Sequence, residues 1–178
     1  MSDMNAPEYL QIDLPDEAAT LALGALIARG LQPGLNIYLS GELGAGKTTF
    51  VRGLLRELGF EGRVKSPTYA LVELYVISRL NLYHFDFYRF RDPEEWHEAG
   101  FRDLFSPSNI CLVEWPEKAR DLLPTADLSI TLITLINTQT AGTETETPSR
   151  QAMLKANSIH GQTLLSRLQD PSTALCKK

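Results

Sequence analysis

Residues Gly41 to Thr48 read GELGAGKT, and few short strings restrict a chain so tightly. Glycines at 41, 44 and 46 let the backbone curl around a compact anion and turn successive N–H groups inward, where bulkier residues would fill the hollow. The next residue, Lys47, carries a charge on a stem long enough to reach the outer oxygens of that anion, and the Thr48 hydroxyl is a hard oxygen donor suited to magnesium. NIYLS (Asn36–Ser40) precedes the string as an apolar strand. Val51, Leu54, Leu55 and Leu58 follow it at helical spacing, with Gly59 as the stop. A helix opening near Lys47 would add its unpaired N–H groups and positive dipole end to the same cradle. Strand, glycine loop and helix in this order form a P-loop. They predict that Glu42, Leu43, Gly44, Ala45, Gly46, Lys47 and Thr48 hold the phosphates of ATP or ADP together with Mg2+.

The remaining sequence predicts what surrounds that loop. Tyr9 to Leu14 reads as a strand, and Pro15 as the first position of a helix with Asp16 and Glu17 in its first turn. Its apolar face is Ala19, Leu23, Leu26, Ile27 and Gly30, and Pro33-Gly34 closes it. Leu71 to Ile77 and Asn81 to Phe87 read as strands joined by a tight turn. Asp92 caps a helix from Pro93, Asn109 to Glu114 is a short apolar strand, and Pro116 starts a helical stretch to about Leu123. Leu128 to Ile136 and Gln151 to Ser158 are later strands, and a last helix carries Leu164, Leu165 and Leu168. Between these strands, residues 137–150 are rich in Thr and Glu without apolar period, which predicts an exposed, mobile loop. The alternation predicts an α/β fold, a P-loop NTPase-like three-layer domain with a mixed parallel/antiparallel central sheet. The 178 residues suit one such domain, residues 1–178.

Bulk properties narrow the partners. A net charge of −5 offers no broad basic surface for a nucleic-acid backbone. Cys111 lies in an apolar run and reads as packing, whereas Cys176 sits on a fraying tail. The start, MSDMNAPEYL, lacks the basic and apolar parts of a secretory signal, and no apolar run has the length of a membrane span. The expectation is a cytoplasmic protein with no membrane contact.

Three further segments bear on the chemistry. A P-loop needs a second acid near the metal, and Glu114, ending the strand ICLVE, supplies one; the plainer reading is a surface glutamate at a strand end. Strand alternation puts Leu82, His84, Asp86 and Tyr88 on one face and Tyr83, Phe85 and Phe87 on the other. With the aromatic face packed inward, His84 and Asp86 share a polar side, which could equally be an ordinary solvated face. Ser66-Pro67-Thr68 is a stiff turn with two hydroxyls at the chain position where nucleotide switches sense a γ-phosphate, though most such triplets are only turns.

Taken together, GELGAGKTT, VKSPTY, LYHFDFYRF and CLVEWPE, in this order and spacing, resemble the TsaE family of small bacterial P-loop ATPases. The likeness runs from about Tyr9 to Asp127 and more loosely through RQAMLKA and the last helix. The Thr/Glu-rich residues 137–150 depart from it as an insertion or a divergent hairpin. The resemblance implies a part in making N6-threonylcarbamoyladenosine next to the anticodon of tRNA. It implies that the chain acts on a TsaB–TsaD heterodimer through ATP hydrolysis without transferring the group itself, meeting tRNA only through that complex. Carried over by position, Lys47 holds phosphates, Thr48 the magnesium and Thr49 a further phosphate or metal contact. Asp86 serves hydrolysis, Glu114 binds magnesium directly or through water, and Trp115 is an optical reporter. Glu17 is placed near the base or ribose.

The mechanism these assignments imply is in-line attack of water on the γ-phosphate. Lys47, backbone N–H groups and Mg2+ stabilise charge, and Asp86 or Glu114, by preference Asp86, orients the water. Arg89 is the nearest candidate for an arginine finger, unless a partner supplies one. Two other readings use the same loop: a small-molecule kinase, which would need an acceptor pocket and an arginine-bearing lid, and a non-catalytic module switched by nucleotide occupancy.

Overall fold

The strand that delivers the glycine loop lies at the middle of the molecule. In the computed structural model, which describes residues 9–135 and 149–170, Asn36–Ser40 (β2) is flanked on both sides by parallel neighbours. The elements in order are β1 (Tyr9–Leu14), α1 (Glu17–Ala28), β2, α2 (Lys47–Glu57), β3 (Val72–Ile77), β4 (Leu80–Asp86), α3 (Pro93–Glu98), β5 (Asn109–Glu114), β6 (Leu128–Thr134), β7 (Arg150–Ala156) and α4 (Ile159–Gln169). Short 3-10 turns occupy Phe101–Leu104 and Pro116–Ala119. One seven-stranded sheet runs in the order β1-β7-β6-β2-β5-β4-β3. Strands β6, β2, β5 and β4 are parallel; β7 and β3 run antiparallel to them, and β1 pairs antiparallel with β7. The mixed sheet is the one the sequence predicts.

Both faces of the sheet are covered, and β2 and β5 show it residue by residue. Ile37, Leu39, Ile110 and Leu112 point into a core shared with α1, α2 and α4. Tyr38, Cys111 and Val113 point the other way, into a second core with α3 and the 3-10 turns. Every residue of β5 is buried, as expected for a parallel strand covered on both sides. The second core is aromatic: Phe85 lies 5.5 Å from Phe87, 5.1 Å from Phe105 and 5.6 Å, edge on, from Phe101. The inward-packed aromatic side of β4 is therefore seen for Phe85 and Phe87, while Tyr83 is half-buried.

Cys111 lies in this second core, fully buried, and burial pushes its thiol up to about 12. The thiolate is the reactive form, so Cys111 should resist thiol reagents at neutral pH until the chain unfolds. In a Cys176→Ser background, a chromogenic disulfide reagent should find no reactive thiol in buffer and one in denaturant. Fast labelling in buffer would mean that the second core opens.

Helix α2 is seated on α1 by two glycines. A Cβ on Gly24 would lie 2.2 Å from the Phe50 carbonyl oxygen, and one on Gly53 would lie 2.1 Å from that of Leu21. The backbones therefore meet without side chains between them, which fixes the height of α2 and of the loop feeding it.

Several boundaries differ from the sequence expectation. The first helix starts at Glu17, because Asp16 is its cap, accepting a hydrogen bond from the Ala19 N–H at 2.8 Å, and Pro15 stands before it. The stretch from Pro116 is only a 3-10 turn to Ala119, not a helix to Leu123: its N-cap, Trp115, has a left-handed backbone and no side-chain cap, and Pro124 blocks extension. The helix capped by Asp92 is present, with the carboxylate accepting from the Glu94 N–H. Of the segment 137–150 and the end of the Leu128–Ile136 strand, residues 136–148 lie outside the described residues, as does Cys176. Arg150, read as loop, is the first residue of β7, where it pairs with Leu14 and Thr134.

Candidate phosphate-binding site

Gly41, Gly44 and Gly46 have φ of +139°, +80° and +106°, values that residues with a Cβ rarely adopt. At Gly41 a Cβ would also meet the Leu132 carbonyl oxygen at 2.4 Å, so the loop must leave β2 as glycine. Helix α2 begins at Lys47 with Gly46 as N-cap and no side chain accepting from its first N–H groups. Those donors face the hollow that the loop encloses and are available to an anion.

Register brings the acids to the same edge. Glu114 at the end of β5 pairs with Leu39 on β2 and with Asp86 at the end of β4. Alternation turns Glu114, Asp86 and His84 to the α2 face, and all three are buried. His84 and Asp86 are therefore not a solvated face, and Glu114 is not a surface residue; α2 and the loop before β3 cover them. Glu114 Oε1 accepts from the Thr48 hydroxyl at 2.9 Å and lies 2.8 Å from His84 Nε2. The Asp86 carboxylate is gripped from three sides: Oδ1 accepts from the Tyr88 N–H at 2.9 Å, and Oδ2 accepts from Ser66 and from Thr68, the latter at 3.0 Å. The Ser66-Pro67-Thr68 triplet is thus more than a turn.

Lys47 is folded back on the loop. Its ammonium donates to the Gly41 carbonyl at 2.6 Å and the Glu42 carbonyl at 2.8 Å, and it sits 4.0 Å from the centre of the Trp115 ring. Burial lowers its pKa, opposed by the charges of Glu114, Asp86 and Glu117. Trp115 itself has φ of +58°, a left-handed conformation that costs a non-glycine residue roughly 1–2 kcal/mol. That turn of the chain directly after Glu114 lays the indole across Lys47, with the centre of the Tyr88 ring 4.9 Å from that of the indole.

One pocket is lined by Leu43, Gly44, Gly46, Lys47, Thr48 and Thr49 from the loop and α2, and by Ser66, Thr68, Asp86, Tyr88, Glu114 and Trp115 opposite. Most residues singled out in the sequence meet there. Glu42 contributes its carbonyl to Lys47, and the Ala45 methyl is fully buried beneath the loop. Glu17 is not in that lining: its side chain is largely exposed and pairs with Arg52 of α2 at 3.4 Å. Arg89 is not in it either, since its guanidinium lies 4.6 Å from the ring of exposed Tyr69. Sequence reasoning passed over Arg150, whose Cδ and Nε lie 3.5 Å from the point where a Gly46 Cβ would stand. No local motif marks it, because it reaches the loop only through the pairing of β7 with β6.

The donors fit a small hard cation. Magnesium takes oxygen ligands and commonly uses one or two from protein, completing its shell with phosphate and water. Thr48 Oγ1 and Glu114 Oε1 form such a pair, 2.9 Å apart beside the cradle. Among the described residues no group of three or more His, Cys, Asp and Glu could hold a metal unaided. No helix among them is long and apolar enough to cross a membrane.

Residues 14–142 match the family model described as threonylcarbamoyl adenosine biosynthesis protein TsaE. The tRNA threonylcarbamoyladenosine biosynthesis protein TsaE of Haemophilus influenzae is 47% identical over 130 residues, 70% of this chain and 82% of that protein. Its namesake in Bacillus subtilis is 39% identical over 118 residues, 66% of this chain and 72% of that one. Among solved structures, the crystal structure of Bacillus subtilis YdiB superposes with a TM-score of 0.69 at 28% identity, covering 89% of this chain and 95% of YdiB. With a glycine cradle, an acid at the end of β5 and a family match across most of its length, the chain belongs to the TsaE family.

Proposed function

We propose that this chain is a magnesium-dependent ATPase that supports N6-threonylcarbamoyladenosine modification of tRNA. It acts on a TsaB–TsaD heterodimer in the cytoplasm and does not transfer the group itself. The observation that carries the reading is the convergence of Lys47, the Thr48–Glu114 pair and the loop-gripped Asp86 on one pocket. Lys47 would leave the Gly41 and Glu42 carbonyls for the outer phosphates, and the N–H groups at the start of α2 would take the inner ones. Thr48 and Glu114 would hold Mg2+, which supplies charge neutralisation at the β- and γ-oxygens.

Asp86 has the right bonding for orienting water. A carboxylate offers about four acceptor sites, and Ser66, Thr68 and the Tyr88 N–H take three. One remains for a water hydrogen, on a group whose orientation its other partners fix. It acts by alignment, because those bonds hold the carboxylate in one orientation.

Arg89 stacks on Tyr69, away from the lining, so the stretch around β4 gives the transferring group no arginine. Arg150, beside Gly46, is not in the pocket's lining either, so charge stabilisation is incomplete in the isolated chain, and basal turnover should be slow and rise when TsaB–TsaD binds. The test measures ATP hydrolysis and multi-turnover tRNA modification with the other pathway proteins present. Asp86→Ala should bind ATP within about threefold of wild type but lose about 10²-fold or more in turnover. Equal turnover with and without TsaB–TsaD, or an Asp86→Ala protein that hydrolyses normally, would overturn the assignment.

A further inference from the structure

Behind the acid assigned to the metal lies a group with no part in that scheme. His84 on β4 is fully buried, 0% exposed, under the N-terminal turn of α2. Its Nε2 lies 2.8 Å from Glu114 Oε1, the same oxygen that accepts from Thr48. Its Nδ1 is buried without a hydrogen-bond partner among the described residues. The aromatic core on the opposite side of β4 does not use it, and an apolar residue would fill its volume without leaving an unmatched nitrogen.

Placing an imidazole there costs the burial of Nδ1, so its return must lie at Nε2. A carboxylate oxygen only accepts, which places a ring proton on Nε2. The other tautomer would set a lone pair against the carboxylate and bury a donor with no acceptor. His84 is thus a fixed donor aimed at one oxygen of Glu114. The contrast with Thr48 matters. That hydroxyl is on a rotatable bond and, in the reading proposed above, turns from Glu114 to the cation. Once it turns, the Glu114 side chain keeps one hydrogen bond in its burial, the one from His84.

We propose that His84 is a positioning residue for the metal acid: it holds Glu114 in the orientation for Mg2+ while Thr48 exchanges partners. The inference rests on the magnesium reading above and goes beyond it by assigning a separate residue the task of keeping the carboxylate in place. Glu114 without this bond could swing, and the loss would appear in metal affinity rather than in nucleotide affinity itself.

The test is calorimetric titration of ADP into the whole chain, with Mg2+ and with chelator. It compares wild type, His84→Leu, His84→Gln and His84→Asn, with thermal melts of each. Wild type should bind ADP more tightly with Mg2+ than with chelator, and the ratio of the two constants is the quantity read. His84→Leu, which removes the donor but keeps apolar bulk, should lower Mg2+ affinity about 10- to 100-fold and shrink the ratio accordingly, with chelator-state affinity within about threefold. His84→Gln, whose amide nitrogen can stand near the place of Nε2, should restore most of the ratio. His84→Asn, whose amide is one bond shorter, should not. If His84→Leu does not fold, the contrast between Gln and Asn carries the test. A His84→Leu protein with the full ratio, or equal ratios for Gln and Asn, overturns the inference while leaving the magnesium reading intact. A wild-type ratio of one overturns the magnesium reading, and the inference with it.

Discussion

Lys47→Ala should lose about 10²- to 10³-fold in affinity for Mg–ATP and Mg–ADP, and hydrolysis with it, while the fold stays as stable as before. The first half follows from the cost of truncating one side of a buried charge pair, about 2–5 kcal/mol, where each 1.4 kcal/mol is a factor of ten. The second half follows from the ligand-free geometry. Burial lowers the Lys47 pKa from the usual lysine value of 10.5, so the protein holds this charge at a cost. The sign is that of a group whose folded pKa is depressed: the cost is present while the lysine is charged. It fades as pH rises from the folded value towards 10.5. Alanine removes the cost and, with it, two hydrogen bonds to the Gly41 and Glu42 carbonyls, which water in the open pocket can replace. The two effects oppose each other, and the melting temperature at neutral pH should move by only a few degrees. Calorimetry and a thermal melt on the same sample decide it. Tight nucleotide binding by folded Lys47→Ala would remove the cradle from any account of function.

Gly53→Ala should have the reverse profile, a large loss of stability from a single methyl group. Alanine is the better helix former by about 1 kcal/mol, which on an exposed face would stabilise α2. Here the new Cβ would stand 2.1 Å from the Leu21 carbonyl oxygen and 2.7 Å from the Leu21 Cα, atoms of a helix backbone that cannot turn aside as a side chain can. Overpacking against backbone costs about 3 kcal/mol or more and outweighs the propensity gain, leaving a net loss of about 2–3 kcal/mol. For a chain of this length that lowers the melting temperature by about 5–10 °C. Arg56→Ala, on the exposed side of the same helix, controls for propensity and should change little. A Gly53→Ala protein as stable as wild type would show that α1 and α2 can separate without penalty.

How far the sequence foretold these features depends on whether their cause is local. The glycine loop, its flanking strand and helix, and Asp92 as a cap are set by residues within a few positions of one another, and each appears where the spacing puts it. Glu114, Asp86 and the Ser66–Thr68 pair were individually ambiguous, because a strand end, a polar strand side and a proline turn are common on surfaces. Their meeting depends on the parallel register of β4 with β5, which one strand does not encode. The solvated alternative for His84 and Asp86 fails for a related reason. A two-residue period reveals alternation but not whether the second side is also covered. Gly24, Gly53 and Arg150 show the limit most clearly, since their roles lie in contacts with distant backbone. The stretch after Pro116 reads as helical by pattern but forms only a 3-10 turn to Ala119, entered through the left-handed Trp115.

The parts of the pocket differ in how firmly the molecule holds them. Lys47 and Thr48 ride on a helix bolted to its neighbour, whereas Asp86 is aimed by two hydroxyls from a connecting stretch that contains no helix or strand. In the proposed reading, retention and turnover are therefore separable properties. A contact that pulled Ser66 and Thr68 aside would leave the anchor intact and disarm the aspartate, storing the bound molecule unspent until the stretch closed again.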